Sequence, residues 1–353
     1  MEKPRKSVRR KGHAVTIAEV AALAKVSPMT VSRVVNAQGK VRDDTRERVM
    51  RAIRQLDYTP NLAASSLAAA QHTRIALIYT DPSGAYLREL LVGLLRVASR
   101  TAIQLVIDYW DDLSVEAERK AARALSRKVD GVILPPPLCE SRTAVNEFVR
   151  AGIPVVAIAS GRFSNDISCV RIDDFRAGKE LTEHLIEQGH HRIGFIRGRP
   201  DLSGSARRYD GFLAALHEAG LETDAALVQQ GDYTYRSGLK AAEKILSNRK
   251  PPSAIFASND DMAAAAISVA HRRGLDVPRD LSVVGFDDTS ASTMVWPEVT
   301  TIHQPIASMA NAAIEVLLRS IRRKDASTRV LVDQVVPHRL VERDSVSSPP
   351  KRR

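Results

Sequence analysis

The stretch Thr16–Asn36, TIAEVAALAKVSPMTVSRVVN, decides how the beginning of this chain folds. Thr16 followed three residues later by Glu19 forms a capping box, in which each side chain satisfies an amide left unpaired at a helix start. Ile17, Val20, Ala21 and Ala24 then recur at the spacing of one helical face. Ser27-Pro28 restarts a helix, because serine caps a helix end and proline is tolerated at the first helical position. Val31, Val34 and Val35 give the second helix a buried side, which leaves Thr30, Ser32, Arg33 and Asn36 facing outward. Two short helices and a tight turn of this kind predict a helix-turn-helix. A third helix follows over 43–57, with Val49, Ile53 and Leu56 on one face and acidic residues at its start, where the helix dipole favours them.

The charge distribution supports a polyanion-binding role for this end. Residues 1–70 hold 14 Lys and Arg against 6 Asp and Glu, whereas residues 71–350 hold 35 of each. Of the net charge of +11, eight therefore sit on the helical-hairpin end and the other three at 351–353. Phosphates neutralised by such a head release counterions, which dominates affinity for nucleic acid. Residues 1–14 read as a basic disordered arm, 15–58 as the DNA-binding domain, and 59–73 as a linker containing the short, weakly apolar helix LAASSLAAA.

From Arg74 the texture changes to alternating strand and helix. RIALIYT, AIQLVIDYW, VDGVILPP, IPVVAIAS, CVRID, HRIGFIRG, SAIFASND and LSVVGFDD are branched apolar runs, as strands buried on both faces of a parallel sheet require. Amphipathic stretches at 87–100, 115–128, 177–188, 207–219, 237–247 and 262–273 separate most of them. Five strands before Asp174 and three or four after it predict two lobes of similar build. TTIHQPI at 300–306 and a final strand in VLVDQVVPHRLVER return the chain toward the first lobe. Ligands of such sheets collect at the carboxyl ends of the strands. Residues 345–353, SVSSPPKRR, read as a disordered tail without the leucine heptad that would make a tetramer.

Several function classes fit poorly. No GxGxxG, GxxxxGK[ST], GxSxG or HExxH motif occurs, so neither an enzyme nor a cofactor is expected. The nine histidines do not pair with cysteines at metal-ligand spacing, and His190-His191 reads as a helix terminus, so no metal is expected. Two cysteines, the lack of an apolar run of about 18 residues and the lack of a signal core after the basic start predict a cytoplasmic protein with no membrane partner. The lack of a signal core and the presence of the basic head speak against the competing reading, a transport-type binding protein with a similar two-lobed body.

Over nearly its whole length the chain resembles the lactose/galactose repressor family of bacterial transcription regulators. The resemblance rests on VTIAEVAALAKVSPMTVSRVVN and VRDDTRERVMRAIRQLDYTPN in the head, and on GHHRIGFIRG, RRYDGFLAAL, FASNDDMAAAA, LSVVGFDD and TTIHQP in the body. It implies an N-terminal all-α helix-turn-helix head on an α/β two-lobed periplasmic-binding-protein-like core with parallel sheets, spanning 74–344. It further implies a homodimer on a palindromic operator and control by a small effector, most often a sugar, with bound protein residing on the nucleoid. Carried over residue by residue, Pro28, Met29 and Arg33 fall at base-reading positions and Thr30, Ser32 and Asn36 at phosphate-binding ones, with Thr16 and Ser27 counted among the DNA-binding residues. Arginine can grip a guanine edge with two hydrogen bonds, while proline and methionine offer apolar contact alone. Asn61, Ala64 and Leu67 fall on the family's hinge helix, whose leucine wedges into the minor groove; Ser65 stands where many relatives carry arginine. For the effector cleft the resemblance points to Tyr86, Arg208, Tyr233, Asn259, Asp287 and Gln304, with Arg207 and Asp288 as adjacent alternatives. Ala159 stands where many sugar-binding relatives carry a polar residue, which removes one hydrogen-bonding corner.

Overall fold

A computed structural model describes residues 16–35, 41–56, 72–80, 84–162, 165–322 and 330–349. The expected arm, most of the linker with Asn61, Ala64, Ser65 and Leu67, and Asn36 lie outside these residues. The chain divides into two compact units, 1–72 and 73–353.

Among the described residues the first unit contains three helices, Ile17–Ala24, Pro28–Val35 and Asp43–Leu56. Thr16 caps the first through the expected box: its Oγ1 accepts from Glu19 N at 3.4 Å, and Glu19 Oε2 accepts from Thr16 N at 2.7 Å. Lys25, at φ +53°, ends that helix in the left-handed region. Ser27 Oγ accepts from Thr30 N at 3.2 Å and starts the second helix. Val20, Ala21, Ala24, Val31, Val34, Val49 and Ala52 form the core, with Ile17, Ile53 and Leu56 partly buried against it.

The second unit is built on two parallel sheets. Strands β1 (Thr73–Tyr79), β2 (Ile103–Tyr109), β3 (Gly131–Leu134), β4 (Val155–Ile158), β5 (Ser168–Arg171) and β11 (Asp333–Val335) form the first lobe, in the order β11-β5-β4-β3-β1-β2. β6 (Ile193–Arg197), β7 (Val228–Gln230), β8 (Ala254–Ala257) and β9 (Ser282–Val284) form the second, in the order β7-β6-β8-β9. Alternation along β1 feeds two cores: Ile75 and Leu77 join one cluster, Ala76 and Ile78 another. That is the signature of a strand covered on both faces. Helices Gly84–Ala98 and Ile306–Arg322 cover one face of the first sheet, and Val115–Ser126 with Arg142–Arg150 the other. In the second lobe, Asp174–Glu187 and Ser203–Glu218 pack together on one face, and Tyr235–Leu246 with Asp260–Arg272 on the other.

Besides the four-residue helix Ser290–Thr293, two longer helices among the described residues join those expected from the sequence. Arg142–Arg150 has nine residues, too few for a clear period, and Ile306–Arg322 buries much of its stripe with alanine, which signals burial weakly. The final strand also divides in two. β11 pairs with β5 in the first lobe, while β12 (Arg339–Val341) turns back to pair antiparallel with β10 (Thr301–His303) at the lobe junction.

The expected disordered tail is corrected over 345–349. Ser345 is fully buried: its Oγ accepts from Thr300 N at 2.8 Å and donates to Val283 O at 2.6 Å, and Val283 N donates to Ser345 O at 2.9 Å. Ser347 O accepts from the ring of His190 at 2.9 Å, and Ser347 Oγ donates to Pro278 O at 3.0 Å. Small hydroxyl side chains, polar by composition, here satisfy the backbone at the margin of the second sheet. His190 is buried and holds Ser253, Ser282 and this segment together, so it is a structural hub after its helix. Residues 350–353 lie outside the described part.

Candidate functional site

In the head, the second helix presents the residues that sequence reasoning turned outward. Ser27, Pro28, Met29 and Arg33 are exposed, Met29 by 64%, and Thr30 and Ser32 are half-buried. An exposed methionine beside an exposed arginine on a short helix leaves an apolar contact and a forked donor on one surface. Thr16 is exposed too, but its hydroxyl is engaged with Glu19.

In the body, one cavity of about 70 Å³ lies between the lobes, and all six residues expected in the cleft line it: Tyr86, Arg208, Tyr233, Asn259, Asp287 and Gln304. Most follow the carboxyl ends of strands. Thr80 follows β1, Pro135 follows β3, Ala159 follows β4, Asn259 follows β8, and Asp287 comes shortly after β9, while Gln304 follows β10. Apart from Gln304, which follows the antiparallel β10, the parallel sheets therefore deliver these side chains to one place by topology. Three lining residues, Ala159 (φ +57°), Tyr233 (φ +72°) and Asp287 (φ +103°), adopt left-handed backbone without being glycine. Such geometry costs of order 1–3 kcal/mol per residue and concentrates at sites of function.

Arg208 occupies the centre of the charge network. Its Nε donates to Asp174 Oδ1 at 2.8 Å, its Nη1 donates to Ser258 O at 2.6 Å and lies 3.6 Å from Asp287 Oδ1, and its guanidinium stacks 3.7 Å from the Phe286 ring centroid. Burial alone would loosen its proton, but Asp174, Tyr233 and Asp287 outweigh burial and raise its pKa. Asp174 was not foreseen: it follows Asp173 after β5, and nothing in the sequence separates the helix cap, which is Asp173, from the arginine partner. Asp287 Oδ1 also accepts from Gln304 Nε2 at 2.6 Å. The two adjacent alternatives point elsewhere. Arg207 lies over the Phe175 ring and reaches Asp210 at 3.9 Å, while Asp288 pairs with His303 and Arg343 at 2.8 and 2.5 Å.

Asn259 lines the cavity but caps the helix Asp260–Arg272 through Met262 N at 3.0 Å and donates to Tyr233 O at 2.9 Å, so it shapes the wall. Tyr233 packs where residue 198 must be glycine, since a Cβ there would lie 2.2 Å from the tyrosine Cζ. Two buried polar atoms find no hydrogen-bonding partner among the described residues, Tyr86 Oη and Gln304 Oε1, and both belong to this lining. An unpaired buried polar atom costs about 1–3 kcal/mol, which a ligand can recover by pairing with it. Among the described residues no group of His, Cys, Asp and Glu could hold a metal ion, and no helix is long and apolar enough to cross a membrane.

Burial lifts the Asp287 carboxyl to about 7; Arg208 and the Gln304 amide pull it down, and Asp174 and Asp261 push it up. In an unfolded chain an aspartate ionises near ~3.9, so folding favours the protonated form. Its stabilising contribution is complete below about pH 4 and is lost as the pH rises toward 7. Urea unfolding is expected to show wild-type stability falling between pH 5 and 7, relative to Asp287→Asn, by up to ~1.4 kcal/mol per pH unit. Parallel pH profiles for the two proteins would remove Asp287 from this role.

Comparison with known proteins places these features in a lineage. The model for bacterial regulatory proteins of the lacI family matches residues 16–61, and that for the periplasmic binding protein-like domain matches residues 182–346. Catabolite control protein A of Priestia megaterium is 34% identical over 333 residues, which span 94% of this chain and 99% of the relative. The chain belongs to the lacI family. Among solved structures, the complex of the transcriptional regulator CelR with cellobiose is similar at a TM-score of 0.71 and 32% identity, covering 94% of this chain and 99% of that one. The lac repressor dimer bound to operator and the anti-inducer ONPF is similar at 0.70 and 27%, covering 95% and 100%. As a lacI-family member, this protein is a DNA-binding transcriptional regulator with a small-molecule-binding body, and its relatives here are regulators rather than enzymes.

Proposed function

We propose that this chain is a cytoplasmic repressor that binds a palindromic operator as a homodimer and is switched by a carbohydrate held between its lobes. The convergence of six sequence-expected side chains on one interlobe cavity carries this reading. The cellobiose complex of one relative and the operator-bound dimer of another support the two partners. The effector would act by population shift: a ligand touching both lobes favours one degree of closure, and that changes operator affinity by a coupling of typically ~1–3 kcal/mol. Tyr86 contributes from the first lobe and Arg208 from the second, so a ligand bonded to both senses closure directly. Ala159 adds no polar side chain, so on the first-lobe wall hydrogen bonding falls to Thr80 and Tyr86.

An operator mobility-shift titration with and without a sugar panel tests the reading; operator affinity indifferent to every sugar would sink the allosteric half. In the head, Arg33→Ala is expected to cost about 1–3 kcal/mol of specific binding and to relax preference at one base pair of each half-site, as read by binding to single-substituted operators. Leu67→Ala is expected to weaken specific binding more than non-specific binding, measured on operator and on random DNA. Equal losses on both would count against the hinge role.

A further inference from the structure

Resting on that reading of the cavity, its charge accounting says which chemistry it admits. Among the described residues Arg208 is the one lysine or arginine in the lining, and its charge is already matched. Asp174 holds it at 2.8 Å and Asp287 faces it at 3.6 Å, with all three side chains buried. An incoming phosphate or carboxylate would have to displace one of these carboxylates and then remain beside it in a medium that screens poorly. No second cation in the lining would offset that cost.

Helix N-termini, the other common anion receptors, are also engaged in the second lobe. Ser203–Glu218 begins at the cleft, and Glu140, from the first lobe, accepts from Ser203 N at 3.3 Å and from the Ser203 and Ser160 hydroxyls. Asp260–Arg272 begins with its own Asn259 cap and two aspartates, and Asp260 accepts from Thr289 N and Thr301 Oγ1, both at 2.7 Å. The two buried lining atoms without a partner among the described residues, Tyr86 Oη and Gln304 Oε1, are uncharged. Gln304 Oε1 can only accept, Tyr86 Oη can donate or accept, and Asp287 accepts when ionised. These groups call for a ligand that presents hydroxyl or amide hydrogens.

We infer that the effector of this protein is an uncharged, hydroxyl-bearing ligand, and that its phosphate esters and acids are rejected. Calorimetric titration of the full-length protein at pH 7.5 tests this with glucose, galactose and ribose, each beside its phosphate ester and its sugar acid. The expected result is saturable binding of at least one neutral sugar, with its anionic counterparts at least tenfold weaker. An anionic member that binds as tightly as its neutral parent, or a panel in which no neutral sugar binds, overturns the inference. Asp287→Asn removes one of the carboxylates facing Arg208, so the ratio of anion to neutral affinity is expected to rise several-fold. This readout survives a general loss of affinity, and an unchanged ratio counts against charge as the selector. Operator mobility shifts with the same panel separate the two levels. Release or tightening of operator by a phosphate ester alone leaves the ligand-controlled regulator standing and removes the charge rule, whereas absence of operator binding removes the regulator itself.

Discussion

Arg208→Leu is expected to abolish the effector response and to destabilise the two-lobed body by about 3–5 kcal/mol. The substitution keeps bulk but leaves Asp174 and Asp287 buried without their counter-charge, and it deprives the Ser258 carbonyl of its 2.6 Å donor. Losing one partner of a buried ion pair is costly because the other charge cannot reach water. Arg208→Lys separates charge from geometry. A lysine can oppose one carboxylate, but it cannot donate from Nε and Nη1 in two directions or lie flat on Phe286, so an intermediate loss is expected. Urea denaturation gives the stability change, and ligand titration followed by operator binding gives the response. A leucine variant that keeps both would show that the network is incidental.

Gly211→Ala is expected to be nearly as damaging, although residue 211 does not line the cavity. The helices Asp174–Glu187 and Ser203–Glu218 approach through two glycines. A Cβ on Gly211 would lie 2.1 Å from Phe175 O, and one on Gly178 would lie 2.4 Å from Arg208 O. Backbone atoms cannot rotate aside as side chains do, so the helices must part, at about 1–3 kcal/mol or more. The same movement draws Arg208 Nε away from Asp174. A lowered melting temperature and a weakened effector response should therefore appear together. Gly84→Ala is the control, since a Cβ there meets nothing within 4 Å. If Gly211→Ala melts at the wild-type temperature, the close approach is not what holds the pair.

Much of this arrangement was legible in the sequence because it depends on local chemistry. The capping box at Thr16 and Glu19, the Ser27-Pro28 restart and the valines that follow specify the helical hairpin without outside help. Parallel strands announce themselves as unbroken branched runs, and strand ends locate the cleft, where Asn259 and Asp287, to which the family resemblance pointed, are found. What was hidden depends on distant partners. Asp174 and Asp173 look alike until the helix carrying Arg208 packs beside them. Asn259 has the chemistry of a ligand contact, yet the helix it begins already uses both ends of its amide. Ser345 and Ser347 look like solvent-loving tail residues because their acceptors, Val283 O and Pro278 O, lie more than sixty residues away.

That serine-bearing segment has a consequence for biogenesis. The first lobe is incomplete until residues 333–335 add β11, and the margin of the second is not sealed until Ser345 and Ser347 reach Val283 and His190. The head, by contrast, has all of its core residues once Ala52 has been made. During vectorial synthesis, where domains fold as units as they emerge, the DNA-reading part is thus finished first and the sensing part last. A ribosome stalled near residue 330 would release a chain with a complete head core and two unfinished lobes.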